Sequence, residues 1–246
     1  YSRSTGAFYN AAPGIGMDTP QATTRLAREC NDAQARIAAD HPGRFGLFAA
    51  MPLPDIDATL KEIAYALDTL QADGIGFVTN YGGIHIGDPK FWPVFEELER
   101  RKAIAFFHPT APFGFTGVPF VSPSTLEFPF ETTRALVSML VHGTAARFPN
   151  VRMIWSHAGG SISAMAGRIN TLSARHPKWE QKGPDRFLAG LRSFYYDVTQ
   201  STAQGTYDAL SAITSNDHLM FGSDVPFAAQ SYIDASLTDL EALKIS

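Results

Sequence analysis

Six short apolar runs, each followed by a segment of helical apolar spacing, constrain this chain more than any other feature. The runs lie at 45–52, 72–81, 103–108, 151–157, 194–199 and 218–224. In the segment 56–70 the apolar residues Leu60, Ile63, Leu67 and Leu70 recur every three or four positions, as on one face of a helix. The same reading predicts helices over 19–40, 89–101, 127–148, 161–174 and 202–213, with loops over 1–20 and 109–126. Strict strand–helix alternation implies a parallel sheet covered by helices. Six such units favour an α/β fold of the (β/α)8 TIM-barrel type, with two strands lying mostly upstream of Tyr1. The chain therefore reads as one barrel domain over 1–246, incomplete at both ends. Gly14-Ile15-Gly16 has no strand before it, so a dinucleotide-binding sheet is not supported.

Composition narrows the function classes. Of 246 residues, 45% are hydrophobic and 18% charged, enough to build a sizeable core. The net charge is −4, and the one basic run, Arg100-Arg101-Lys102, follows Glu96, Glu97 and Glu99, which disfavours nucleic-acid binding. The single cysteine, Cys30, excludes an internal disulfide and a cysteine-based zinc knuckle, and suits a reducing cytoplasm. No apolar run reaches the length of a membrane-spanning helix.

Three of the runs end in side chains that a buried strand would not choose for packing. Phe106-Phe107-His108-Pro109 ends in an imidazole, Trp155-Ser156-His157-Ala158-Gly159-Gly160 in another, and Phe221-Gly222-Ser223-Asp224 in a carboxylate. The carboxyl ends of barrel strands form the mouth where active sites sit. Each residue alone has an ordinary alternative: a core histidine bonded to a carbonyl, or an aspartate capping the turn before Pro226. Taken together, two imidazoles and a carboxylate are a ligand set for a zinc-like ion. His85, in the mouth-side loop after the second run, is a candidate for lining the pocket. His41, His142, His176 and His218 fall at turns, in or after helices, or at a strand start, and are read as structural.

Several stretches together resemble the amidohydrolase superfamily, in the branch of aminocarboxymuconate-semialdehyde decarboxylase and 6-methylsalicylate decarboxylase. They are Phe-His-Pro-Thr at 107–110, Leu-Glu-Phe-Pro-Phe-Glu-Thr-Thr-Arg at 126–134, Ser-His-Ala-Gly-Gly at 156–160, Gly-Arg-Ile at 167–169, Tyr-Asp-Val-Thr at 196–199 and Phe-Gly-Ser-Asp-Val-Pro-Phe at 221–227. The resemblance implies a barrel with one divalent ion, zinc ahead of manganese, held by His108 and Asp224. It implies that His157 handles protons beside the ion. It also implies that Arg168 is donated across a dimer interface to a substrate carboxylate, in a homodimer or higher homo-oligomer. The family's first-strand His-x-His or Glu-x-His pair has no counterpart here, and its strand is expected upstream of Tyr1.

The leading expectation is non-oxidative decarboxylation of a small aromatic or unsaturated carboxylic acid such as a hydroxybenzoate, with His157 and Asp224 catalytic. A metal-dependent hydrolase of a lactone, ester or amide is the first alternative, and a non-catalytic paralogue the second.

Overall fold

The structure, a computed structural model, describes residues 4–5, 19–114, 117–173, 179 and 186–244. The expected His176 and the Gly14-Ile15-Gly16 stretch lie outside the described residues.

Six strands form one parallel sheet: β1 (Phe48–Ala50), β2 (Gly74–Val78), β3 (Ile104–His108), β4 (Arg152–Trp155), β5 (Tyr195–Asp197) and β6 (Leu219–Met220). They lie side by side in sequence order, each pair parallel. Each crossover therefore moves one place in the same direction. That is the winding of a (β/α)8 barrel; a nucleotide-binding sheet reverses its strand order at a switch point. Among the described residues β1 and β6 are the edges of this arc.

The longer helices are α1 (Pro20–Asp40), before β1, then α2 (Ile56–Ala64), α3 (Trp92–Arg101), α4 (Pro123–Val141), α5 (Ile162–Ser173), α6 (Arg186–Arg192) and α7 (Gln204–Ser211), between the strands, and α8 (Gln230–Ala242), after β6. Alternation along the strands sorts the core. Phe77, Phe107 and Trp155 are buried on one face and stack in a row that continues into Phe95 of α3. Their strand neighbours Phe106, His108 and Ile154 are half-buried and fall on the opposite face, because successive side chains of a strand alternate. Phe107 thus faces the helices and His108 the other side.

α1 docks onto the edge strand through buried polar groups. Ala50 of β1 donates its N–H to Asn31 Oδ1 at 2.7 Å, and Asn31 Nδ2 donates to Ala50 O at 3.0 Å and to Glu62 Oε1 at 2.8 Å. Glu62, almost fully buried, also accepts bonds from Arg28 at both carboxylate oxygens, from Nε at Oε1 and from a terminal nitrogen at Oε2, and the Arg28 guanidinium lies 3.5 Å from the Tyr65 ring centroid.

Several boundaries differ from the sequence reading. The helix expected over 56–70 is α-helical only to Ala64 and finishes as a π-turn, Tyr65–Thr69. The segment expected as one strand over 72–81 is β2 followed by an antiparallel hairpin, Asn80–Tyr81 with Ile84–His85. α4 begins at Pro123 and includes Pro129, and the helix expected to run on to 148 stops where Gly143 takes φ 72°. α5 buries Ile162 and Ala166, whereas Met165 is 36% exposed. No helix among the described residues is long and apolar enough to cross a membrane.

Candidate metal centre

The ends of β3, β4 and β6 bring three side chains together. Ligand-capable atoms of His108, His157 and Asp224 all lie within 4.8 Å of one another. His108 is the last residue of β3; its Nδ1–H donates to the Pro109 carbonyl at 2.8 Å, which leaves Nε2 with the lone pair. Phe128 of α4 meets the His108 ring edge-on at 6.2 Å. His157 lies just past β4 with φ 53°, its ring centroid 5.4 Å from that of His108 and its Nδ1 3.1 Å from Ser156 Oγ. Asp224 lies four residues beyond β6, also in the left-handed region at φ 57°. Such a conformation costs an L-residue roughly 1–2 kcal/mol, so tertiary packing must hold both residues there.

That packing is visible around His157. Gly160, at φ 69°, sits against the Pro129 carbonyl oxygen of α4, where a Cβ would overlap it. Thr133 Oγ1 donates to the same carbonyl at 2.8 Å and accepts the Ser161 N–H at 2.8 Å. The 126–134 and 156–160 stretches of the sequence are thus two sides of one contact, which fixes the chain just after the His157 turn.

The electrostatics suit a cation. Burial first, and then the neighbouring His157, lowers His108 to about 4; burial lowers His157 to about 4 as well. Both rings are neutral near pH 7 and offer nitrogen lone pairs. Burial, then the nearby Asp197 carboxylate, raises the Asp224 carboxyl above its ordinary value. Two neutral imidazoles and one carboxylate match the donors that zinc and similar ions accept, so the residues present fit a divalent ion.

The other two expected site residues stand outside this triad. His85 Nε2 lies 3.0 Å from Glu131 Oε1, an oxygen that also accepts from Asn80 Nδ2 at 2.8 Å. Glu131 is nearly fully buried, and burial would raise its carboxyl; the hydrogen bonds from His85, Arg134 and Asn80 outweigh that and hold it below its ordinary value. His85 is therefore fixed on the hairpin after β2 with 30% of its side chain exposed. Arg168 is an exposed residue of α5.

Two groups that the sequence reading passed over belong to the site. Asp197, the last residue of β5, is 7% exposed and accepts the backbone N–H groups of His157 and Thr199, each at 3.0 Å. Gln200 donates to Asp224 Oδ2 at 3.0 Å. The signal for Asp197 was its strand-end position within Tyr-Asp-Val-Thr; Gln200 left none.

A singly wound parallel α/β sheet with a His-His-Asp cluster at the carboxyl ends of its strands defines the class of barrel-type metal enzymes. The amidohydrolase family profile matches residues 2–246, and the chain belongs to the amidohydrolase family. Among curated relatives, decarboxylase yanB of Aspergillus niger is 36% identical, aligned over 95% of this chain and 67% of that protein. The 6-methylsalicylic acid decarboxylase of Penicillium expansum is 35% identical over 95% of this chain and 73% of its own. The crystal structure of 2,6-dihydroxybenzoate decarboxylase from Rhizobium superposes with a TM-score of 0.83 at 23% identity, covering 94% of this chain and 74% of that one. A dihydroxybenzoic acid decarboxylase from Polaromonas, solved with bound manganese and the inhibitor 2-nitroresorcinol, gives a TM-score of 0.77 at 21% identity, covering 92% and 71%. At these identities the two structures speak for the fold.

Proposed function

We propose that this protein is a metal-dependent, non-oxidative decarboxylase of hydroxybenzoate-like acids. The observation that carries the reading is the convergence of His108, His157 and Asp224 at the strand ends, in a chain whose relatives named above are decarboxylases. His108 and Asp224 would hold one divalent ion, zinc or manganese, with His157 beside it. The ion, when bound, supplies a positive charge that binds and orients the substrate's carboxylate and adjacent hydroxyl.

The chain's own groups do the rest. Asp224 serves as the acid that delivers a proton to the ring carbon bearing the carboxylate. His157, neutral and beside Ser156 Oγ, accepts the phenolic proton at a ring nitrogen and returns it as carbon dioxide leaves and aromaticity is restored. Phe128, packed on His108, supplies an apolar wall for a flat ring. His85, fixed by Glu131, faces the substrate from the hairpin. Arg168 reaches the site of a neighbouring subunit in a homodimer, where its planar fork pairs with the substrate carboxylate.

The test is product analysis on the full-length protein loaded with zinc or manganese and given 6-methylsalicylate and 2,6-dihydroxybenzoate. Carbon dioxide release that stops on chelation and returns on metal addition is expected. Ester or lactone hydrolysis without carbon dioxide, or inertness toward both acids with metal bound, overturns the proposal.

A further inference from the structure

Three strand ends supply the candidate ligands, and a fourth, that of β5, lies between two of them. It supplies no member of the triad, yet it touches both flanking members. Asp197 Oδ1 accepts the His157 N–H and the Thr199 N–H, each at 3.0 Å. Three residues later Gln200 donates to Asp224 Oδ2 at 3.0 Å. Gly222, on the β6 side, packs so closely on this segment that a Cβ there would overlap Thr199 Oγ1 and lie 3.2 Å from Asp197 Cγ. His157, Gln200 and Asp224 all have positive φ, at 53°, 51° and 57°. A non-glycine residue settles there only when its surroundings over-determine it.

An acid buried to 7% exposure against two backbone N–H groups has a structural use as a turn cap. The cap here is unusual in its target: one of the two donors belongs to another strand's end and to a member of the triad. Gln200 adds an independent bond to a second member. It also leaves Asp224 Oδ1 as the oxygen without that bond. A single five-residue stretch, Tyr196 to Gln200, thus spans from the His157 backbone N–H to the Asp224 side chain.

We infer that Asp197, with Gln200, positions the metal centre: Asp197 holds the His157 backbone in the left-handed turn that aims its imidazole, and Gln200 fixes the rotamer of Asp224. Neither residue touches the reacting atoms. This rests on the metal-centre reading above and adds to it that the β5 end sets the spacing between the β4 and β6 side chains.

Cobalt binding to the full-length protein tests this without reference to turnover, because the visible absorption of bound Co²⁺ reports ligand geometry. Groups that orient metal ligands typically change metal affinity by about 10–100-fold when removed. Asp197→Ala is expected to weaken Co²⁺ binding at least tenfold and to change the shape of the visible bands. Asp197→Asn, which keeps an oxygen to accept both N–H groups, is expected to return affinity to within about threefold of wild type. Gln200→Ala removes only an exposed side chain, so it tests the idea even where Asp197→Ala does not fold; altered bands with every ligand present are expected. Wild-type uptake together with unchanged affinity and spectrum in Gln200→Ala and in folded Asp197→Ala overturns the positioning role alone. A wild-type protein that takes up no cobalt overturns the metal centre itself, and this inference with it.

Discussion

Replacing Asp224 by Asn keeps the shape of the side chain and removes its charge and its acidity. An amide is a poorer ligand than a carboxylate and holds no transferable proton at neutral pH. Asp224→Asn is therefore expected to lower decarboxylation more than about 100-fold, roughly 2.7 kcal/mol of barrier, with the metal-free melting temperature unchanged. Turnover within about tenfold of wild type would remove Asp224 from the chemistry. Gly160 tests the neighbouring turn. Its φ of 69° and the Pro129 carbonyl oxygen beside it leave no room for a methyl group. Gly160→Ala is expected to cost about 2 kcal/mol or more, read as a fall in the urea midpoint; an unchanged midpoint would mean that the α4 contact does not fix the chain at Gly160. His108, His157 and Asp224 were legible in the sequence because each is a polar residue at the end of an apolar run, a position that alternation and burial do not explain. Asp197 shares that position, but it works through backbone N–H groups supplied by other segments, and such a partner has no signature in residue type.

At the scale of elements, the α1–β1–α2 junction shows what periodicity conveys and what it hides. Apolar spacing locates α2 and the parallel strands, since each must bury a face. It does not reveal that the edge of β1 is completed by the Asn31 side chain, which both donates to and accepts from Ala50. Asn31→Ala would leave the buried Ala50 N–H without its partner, while Glu62 Oε1 would lose one bond and keep the one from Arg28 Nε. The cost is expected at about 1–3 kcal/mol, the usual range for one orphaned buried group. Chemical denaturation measures it, and a loss under about 0.5 kcal/mol would mean that α1 is held by apolar contact alone. The departures from the expected boundaries have local causes of the same kind. Gly143 ends α4 by taking a left-handed conformation after a stretch with no break in apolar spacing. The hairpin after β2 turns at Gly82 and Gly83 and is tied by Asn80 and His85 to a carboxylate on α4, a partner far away in sequence. The Tyr81-Gly82-Gly83 turn is encoded locally, whereas its tertiary anchor has no local signature.

At the scale of the whole molecule, the sequential strand order was the most legible property, because strict strand–helix alternation leaves few ways to connect parallel strands. Assembly is the least legible. Arg168 is exposed on α5, whose inner face is occupied by Ile162 and Ala166, so within its own chain it is directed away from the core. In the proposed homodimer a two-fold interface near the mouths would let each Arg168 serve its neighbour's site. Mixing Arg168→Ala and Asp224→Asn proteins, each inactive alone, separates the possibilities. After subunit exchange in a one-to-one mixture, half of the dimers carry one of each chain. In these the Arg168→Ala subunit keeps its own Asp224 and receives Arg168 from its partner, so one of two sites works. Activity is expected to recover to about a quarter of wild type, the product of those two halves for a closed dimer. Arg168→Lys alone should weaken substrate binding while metal content stays constant, since a point charge cannot reproduce the planar fork. No recovery after exchange has been verified by mass spectrometry would mean that Arg168 acts within its own chain or takes no part in binding.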